Sequence, residues 1–259
     1  MKITYLTNGE RGALYDAWRE IAGAQGIDAD FADYAACGYG MDMVARTFPP
    51  LFAGDADVLV YLDTDCFPLD GGGIKALAAE LAASPYAYAG VPDGGQVCHR
   101  GSDPYKPNLF FTLYDLRKIR AVWKEGDGIT DEAEPEIPVA DVERRLWLAS
   151  GYAGGTYRRL EIARADGLEP FTFTNTGFQE PYYAFFRWLG GKGLRPMWLY
   201  GRDAPEVDGD GAATLVLHGG TPLALHSWFA REYGRDRYHT ARIDKCIEYA
   251  RNYGKEKDN

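Results

Sequence analysis

Asp63 and Asp65 are the pair of residues whose type and spacing most directly suggest chemistry. They follow an apolar run at 58–62, Val-Leu-Val-Tyr-Leu, which is typical of a strand covered on both faces. Two carboxylates at the end of a buried strand repel each other and are costly to desolvate, and a cation relieves both costs. Oxygen ligands suit Mn²⁺ or Mg²⁺, which also bind diphosphate oxygens. We therefore predict a divalent metal site here. The alternative is a pair of strand-end acids that cap nearby backbone amides.

The Asp-x-Asp spacing alone carries little information, because the chain has 38 acidic residues and the spacing occurs four times. The other three occurrences, at 28–30, 55–57 and 208–210, lie in turn-like or polar surroundings, and we interpret them as solvated acids. Only the pair at 63–65 directly follows a buried strand pattern, so the context selects it.

The elements that would position this pair alternate between strand and helix over the first hundred residues. This alternation predicts an α/β fold with a mostly parallel sheet, whose open carboxyl edge is where such proteins bind ligands. The predicted strands are 3–6, 27–34, 58–62 and 86–91, and the predicted helices are 14–26, 41–52 (broken at the prolines 49–50) and 74–83.

The second half of the chain is less regular, and it predicts a small antiparallel element and a helical C-terminal tail. We see no internal repeat and no linker, so we expect a single domain over 1–259. The predicted strands are 108–113, 194–200, 214–217 and 223–226; the predicted helices are 116–122, 139–148, 180–188 and the tail 231–253; 126–138 and 203–211 are predicted as acidic loops.

Charge and composition exclude several classes of function. The net charge of −10 repels phosphate backbones and disfavours a nucleic-acid partner. No apolar run reaches ~18 residues, so we expect no membrane span, and the strand pattern at the N-terminus predicts no signal peptide. The four cysteines form no Cys-x-x-Cys pair, which argues against zinc and favours free thiols in a cytoplasmic protein.

The stretch 45–52, followed by 57–65, resembles the centre of the GT-A glycosyltransferases. In those families an Arg or Lys on the preceding helix, an apolar strand and a Tyr-Leu-Asp-x-Asp end recur in this order. The resemblance covers about the first 90 residues. It implies a GT-A, Rossmann-like fold that moves a sugar from a nucleoside-diphosphate donor, with UDP favoured, in the presence of Mn²⁺ or Mg²⁺. Residues 1–100 would then be the nucleotide-binding half and 101–259 the acceptor half.

The resemblance also implies roles for residues of the donor site. The nucleotide would lie at the end of the first strand, near Thr7 and Asn8, with Arg46 facing the ribose or the diphosphate. Asp63 would contact the ribose or the metal, Asp65 would bind the metal, and Thr64 between them would belong to the same site. A segment resembling the strand that lines the donor sugar contributes Lys106 and Asn108 as candidates for sugar hydroxyls, with ordinary strand polarity as the alternative.

GT-A enzymes often take a third metal ligand from a late histidine. His226 is the favoured candidate, because it precedes a tail rich in Arg and Tyr that could close over a diphosphate; His218 is the alternative. A lone histidine at a strand end can equally be a hydrogen-bonded structural residue.

Residues 175–180 resemble the Gly-aromatic-x-Glu-Asp region of inverting GT-A enzymes, where an acid is the general base. Glu180 would be that base, on the first turn of a helix, although Pro181 stands where the second acid is expected. Alternatively, Gln179 would lie beside the anomeric carbon, as a polar residue does in retaining relatives. The structural alternative for Glu180 is a glutamate that the helix dipole favours in the first turn.

Three other functions compete with glycosyl transfer as interpretations of the sequence. A haloacid-dehalogenase-type phosphatase would use Asp63 as nucleophile, but Phe67 occupies the position where that pattern needs Thr or Val. A sugar-nucleotide pyrophosphorylase would need a Gly-x-Gly-x-Arg loop after the first strand, which residues 8–12 lack. A non-catalytic carbohydrate-binding protein has no need of a costly buried acid pair. The acceptor of a transferase stays open among saccharide, lipid, protein and modified nucleobase.

Overall fold

In the computed structural model, helices pack on both faces of a central sheet. The described residues are 1–33, 52–93, 106–124, 158–160, 171–173, 180, 182–209 and 211–254. The predicted helices 41–52 (except its last residue) and 139–148 and the acidic segment 126–138 lie outside them, as do Arg46 and Gln179.

The described elements follow one another in this chain order: β1 (Ile3–Gly9), α1 (Ala13–Ala24), β2 (Asp30–Asp33), β3 (Val58–Asp63), β4 (Cys66–Pro68), α2 (Gly71–Ala83), β5 (Tyr88–Pro92), β6 (Pro107–Asp115), α3 (Leu116–Val122), β7 (Arg158–Leu160), β8 (Phe171–Phe173), α4 (Tyr183–Gly191), β9 (Pro196–Trp198), β10 (Tyr200–Asp203), α5 (Pro205–Asp208), β11 (Thr214–His218), β12 (Thr221–His226), a 3₁₀ turn (Ala230–Glu232) and α6 (Arg237–Asn252).

A six-stranded sheet in the order β2-β1-β3-β6-β5-β9 forms the centre of the molecule. Its neighbouring pairs are parallel except where β6 meets β3 and β5, where they are antiparallel. The carboxyl ends of β1, β3 and β5 therefore meet at one edge, together with the amino end of β6. The prediction of a mostly parallel α/β sheet flanked by helices, with an antiparallel element and a C-terminal helix, is confirmed.

Strand β3 is buried on both faces because its side chains alternate between two apolar clusters. Val58, Val60 and Leu62 pack in the cluster that includes α1 and α2. Leu59 and Tyr61 pack in the cluster that includes α3 and α4. Helices thus cover both faces of the sheet, which explains why this strand reads as an unbroken apolar run.

A second, four-stranded sheet in the order β10-β11-β12-β4 is antiparallel throughout. Only two residues, Thr64 and Asp65, separate the end of β3 from the start of β4, so the chain passes directly from one sheet into the other. In the pairing of β12 with β4, His226 lies opposite Cys66. The two-sheet arrangement therefore brings a residue from position 226 beside the acids at 63–65.

Helix α6 packs against α1 and against strands β4 and β12 of the second sheet. Asp236 caps its start by accepting a hydrogen bond from the backbone N–H of His239 at 2.8 Å. Ile243, Cys246 and Ile247 form its buried face. Within the part of the chain that the structure describes, no helix combines the length and the apolar character needed to cross a membrane.

Three predicted elements differ from the structure. The helix predicted from 180 begins at Tyr183, because Pro181 disfavours the helical conformation at the residue before it. The strand predicted at 194–200 is two strands, β9 and β10, which belong to different sheets and are separated by Leu199. The loop predicted at 203–211 contains α5, and Asp208 is 3% exposed, so interpreting it as a solvated acid was wrong.

Candidate metal centre

The turn between β3 and β4 fixes the two acids at the carboxyl edge of the central sheet. Asp63 ends β3 opposite Asn8 of β1, and the backbone N–H of Thr64 donates to the Asn8 carbonyl at 3.0 Å. Asp65 is 4% exposed, and its carbonyl accepts from the backbone N–H of Ser227 at 2.8 Å. These backbone bonds attach the turn to β1 on one side and to the end of β12 on the other.

His226 reaches the acids from β12. Its Nε2 lies 3.1 Å from Oδ1 of Asp65, and the side chain is buried. The ring stacks on Phe110 with centroids 4.1 Å apart and planes at 13°, and it contacts the Trp228 ring at 4.1 Å. Two aromatic rings therefore restrict the rotation of the imidazole.

Asp63, Asp65 and His226 each offer a ligand atom, and these atoms all lie within 4.8 Å of one another. Metal–oxygen distances of ~2.1 Å place neighbouring ligands of an octahedral ion ~3.0 Å apart and opposite ligands ~4.2 Å apart. The 3.1 Å separation of Asp65 Oδ1 and His226 Nε2 matches a neighbouring pair. The two carboxylates suit Mn²⁺ or Mg²⁺, and the imidazole, a borderline ligand, favours the transition metal Mn²⁺ of the two. The residues present thus fit a divalent cation.

The negative charge concentrated at the two acids also favours a bound cation. Burial and the charge of Asp65 raise the pKa of Asp63 to about 8, with a smaller contribution from Glu180. The hydrogen bond from Tyr61 Oη, at 2.8 Å, and the charge of Arg231 act in the opposite direction. Burial, followed by Asp65 and Asp63, also raises the pKa of the neighbouring Cys66 thiol. A cation would relieve this concentration of negative charge.

The predicted nucleotide-binding residues Thr7 and Asn8 lie beside the acids at the end of β1, and their side chains are buried. Thr64 packs against this strand so closely that a Cβ on Gly9 would meet Thr64 Oγ1 at 2.1 Å. Glycine is therefore favoured at position 9, since any Cβ there would force the Thr64 side chain to shift. Sequence analysis did not identify this constraint, because only the fold shows which side chain approaches the glycine.

A shallow cavity adjoins the site, with a volume of about 110 Å³. It lies between the turn after β1 and the 3₁₀ turn that precedes α6. Two arginines, Arg11 and Arg231, line it together with Thr64. The cavity thus offers positive charge beside the acid pair.

Glu180 lies near the acids and is 7% exposed. It precedes α4, and its carbonyl accepts from the backbone N–H of Tyr183 at 3.0 Å. Its charge is the smallest of the contributions to the pKa of Asp63, after burial and Asp65, and it acts to raise that pKa. The structure therefore brings Glu180 to the edge of the sheet that carries the candidate metal ligands.

Asp93 is a buried acid of this edge that sequence analysis missed. It follows β5 and accepts hydrogen bonds from the side chains of Asn108, Tyr182 and Tyr183. Asn108 also accepts from the backbone N–H of Phe110 at 3.1 Å, so its amide is engaged within the protein. Both polar atoms of the Asn108 amide thus have partners within the protein, and the carbonyl of the half-buried Lys106 accepts from the backbone N–H of Asp93 at 2.8 Å.

The alternative ligand His218 does not join the cluster. It lies at the end of β11, and its Nε2 is 2.7 Å from Oε2 of Glu80 on α2. The other candidates, Arg46 and Gln179, fall outside the described residues. Cys66 and Cys246 are buried free thiols; Cys37 and Cys98 also fall outside the described residues.

No protein-family model and no curated protein matches the chain. Among solved structures, the A197 protein from STIV is 14% identical, with 48% of this chain and 69% of that chain covered and a TM-score of 0.35. The chain is 13% identical to a glycosyltransferase involved in the glycosylation of the major capsid of PBCV-1, covering 59% of this chain and 77% of that chain, with a TM-score of 0.34. It is 14% identical to the galactosyltransferase LgtC in complex with donor and acceptor sugar analogs, covering 47% of this chain and 60% of that chain, with a TM-score of 0.28.

Likeness at this level does not assign an activity to the chain. Two of the three similar structures are glycosyltransferases by name.

Proposed function

We propose that this protein is a metal-dependent glycosyltransferase that uses a nucleoside-diphosphate sugar, with a UDP-sugar as the favoured donor. The observation that carries the proposal is the cluster of Asp63, Asp65 and His226 at the carboxyl edge of a mostly parallel sheet. That edge is where open α/β sheets bind ligands. A triad of hard and borderline ligands suits an ion that also binds diphosphate oxygens.

The donor half of the site comprises Thr7, Asn8 and Thr64 with the cavity beside them. A bound divalent cation would act as a Lewis acid on the leaving diphosphate. Arg231 adds a positive side chain close enough to lower the pKa of Asp63. Arg46 is proposed for the ribose or the diphosphate on the sequence resemblance alone.

Glu180 is the proposed general base, which would take the proton from the acceptor hydroxyl in an inverting transfer. Its support is its burial and its closeness to the acid pair. If Gln179 lies beside the anomeric carbon instead, the reaction is retaining. The product's anomeric configuration, read by NMR, distinguishes these two assignments.

The acceptor is proposed only as a hydroxyl-bearing molecule: a saccharide, a lipid, a protein side chain or a modified nucleobase. The net charge of −10 disfavours the last of these.

Ligand-dependent stabilisation tests the proposal. Because a ligand that binds only the native state raises the melting temperature, UDP with Mn²⁺ is expected to stabilise the native protein. UDP without metal should have a smaller effect, and His226→Ala should lose the metal-dependent part. His218→Ala is the matched control, since His218 pairs with Glu80 away from the cluster. If no nucleoside diphosphate shifts the melting temperature with metal present, the proposal is wrong. A screen of nucleotide sugars with mass detection then identifies the donor.

A further inference from the structure

The segment directly after His226 has an unusual backbone. Trp228 and Phe229 both have positive φ, at 60° and 62°, a left-handed conformation that large side chains rarely adopt. Two such residues in a row persist only where the surrounding structure holds them.

Arg242 of α6 contacts Trp228 and Phe229, and Asp208 of α5 pairs with Arg242. Arg242 Nη1 lies 3.3 Å from Asp208 Oδ2, and its Nη2 donates to the Trp228 carbonyl at 2.9 Å. The guanidinium also lies 5.5 Å from the centre of the Phe229 ring. Asp208 in turn accepts from the backbone N–H groups of Gly211 and Ala213.

This ion pair is buried: Arg242 and Asp208 are each 3% exposed. A buried pair gains little stability over apolar residues of similar volume, because desolvation offsets the attraction. Its retention fits a role in specifying one arrangement of the chain. The planar fork of Arg242 suits that role, since it bonds a carboxylate and a backbone carbonyl at once.

Three interactions connect Trp228 and the residue before it to His226 and Asp65. The Trp228 ring lies 4.1 Å from the imidazole, between ring centroids. Trp228 Nε1 donates to Thr214 Oγ1 at 2.8 Å, and Thr214 pairs with His226 across β11 and β12. The intervening Ser227 donates its N–H to the Asp65 carbonyl. A shift of Trp228 would therefore move the imidazole relative to Asp65.

We propose that Arg242, held by Asp208, is a positioning residue for His226: it fixes the left-handed Trp228–Phe229 turn and so aligns the imidazole with Asp65 for metal binding. The proposal rests on the proposed metal site. A purely structural role would cost stability without changing metal affinity in the folded protein.

Two variants of the full chain test this inference. Arg242→Lys keeps the positive charge but lacks the fork that reaches both Asp208 and the Trp228 carbonyl. The double variant Asp208→Asn/Arg242→Met removes both charges together and leaves no buried ion unpaired. The control is Arg251→Lys on the same helix, where Arg251 forms a two-bond pair with Glu20 at the surface.

Mn²⁺ affinity is measured by electron paramagnetic resonance of the free ion, and folding by near-ultraviolet circular dichroism. Partners that orient a metal ligand typically change affinity by 10–100-fold, so we expect at least a tenfold loss in both variants and a change within about twofold in the control. Affinity within about twofold of the native value in the folded variants would overturn the proposal. Failure of both variants to fold would overturn it too, because the pair would then hold the fold and not the histidine.

A second readout separates this inference from the proposed function. The chain contains four histidines, so the ring-nitrogen NMR spectrum is simple enough to assign His226. If the native protein does not bind Mn²⁺, the proposed metal site fails, and the metal-free NMR spectrum decides about Arg242. A displaced His226 resonance in Arg242→Lys, with His218 unchanged, supports the positioning role, and an unmoved His226 resonance refutes it. His239 stacks on Phe229 with ring centroids 4.4 Å apart, so its resonance is expected to move with the turn.

Discussion

Replacing Asp63 by Asn exchanges a carboxyl that can ionise for a neutral amide at the most crowded point of the site. The side chain keeps its shape and its Oδ1, which accepts the hydrogen bond from Tyr61. At a pH where the Asp63 carboxyl ionises, the amide avoids its repulsion with Asp65 and Glu180. The substitution is therefore expected to stabilise the metal-free protein while it weakens metal binding.

The magnitude follows from the pKa of Asp63, which burial and Asp65 raise to about 8. An unfolded aspartate has a pKa of ~3.9, so the folded state keeps a proton that the unfolded state releases as the pH rises. The native protein without metal should thus lose stability between about pH 4 and pH 8, and change little from this group above that. A tenfold difference in proton affinity corresponds to about 1.4 kcal/mol. Because Asp65 shares the repulsion, we expect Asp63→Asn to regain on the order of 2 kcal/mol at pH 8, which raises the melting temperature by about 4–8 °C.

The assay is scanning calorimetry from pH 5 to pH 8.5 in the presence of a chelator. Asp55→Asn is the matched control, because Asp55 belongs to another Asp-x-Asp sequence but its side chain is 84% exposed and pairs with Lys2. The stability gain of Asp63→Asn should grow with pH and reverse when Mn²⁺ is added. If Asp63→Asn is no more stable than the native protein at pH 8 without metal, the electrostatic reasoning is refuted.

Three further substitutions test other parts of the site. Asp65→Asn is expected to abolish metal-dependent donor hydrolysis with the fold intact by circular dichroism; retained hydrolysis would mean that the metal binds elsewhere. Glu180→Gln should lower kcat about 10²–10⁴-fold with little change in the KM for the donor, as for loss of a general base, and an unchanged kcat would remove Glu180 from that role. Gly9→Ala should lower stability by about 1–3 kcal/mol in chemical denaturation, because its Cβ would meet Thr64 Oγ1 at 2.1 Å. Thr64→Ala in the same chain removes that oxygen and should restore part of the loss, and an undiminished stability of Gly9→Ala alone would contradict the packing.

The central strand and its acids were predictable because their signal is local. The run 58–62 is apolar at every position, and the structure buries it on both faces. The acids that follow could only be at the end of that strand. The same holds for the hairpin of β11 and β12, whose turn has Gly219 and Gly220 at positive φ.

Other features depend on contacts between distant parts of the chain. Asp208 resembles a loop acid in sequence, and its burial becomes intelligible only with Arg242, 34 residues later. Asp93 follows an ordinary strand, and its three partners come from β6 and the start of α4. The sequence favoured His226 over His218 through the tail that follows it, and the pairing of β12 with β4 supplies the geometric reason, since both histidines end a strand.

Anomalous diffraction from crystals grown with Mn²⁺ and UDP tests the central claim most directly. We expect one manganese peak among Asp63, Asp65 and His226, roughly 2.0–2.3 Å from an Asp65 oxygen and a His226 ring nitrogen, with diphosphate density on the same ion. A nucleotide bound without metal at these residues, or a peak at any other cluster of acids, would contradict the account.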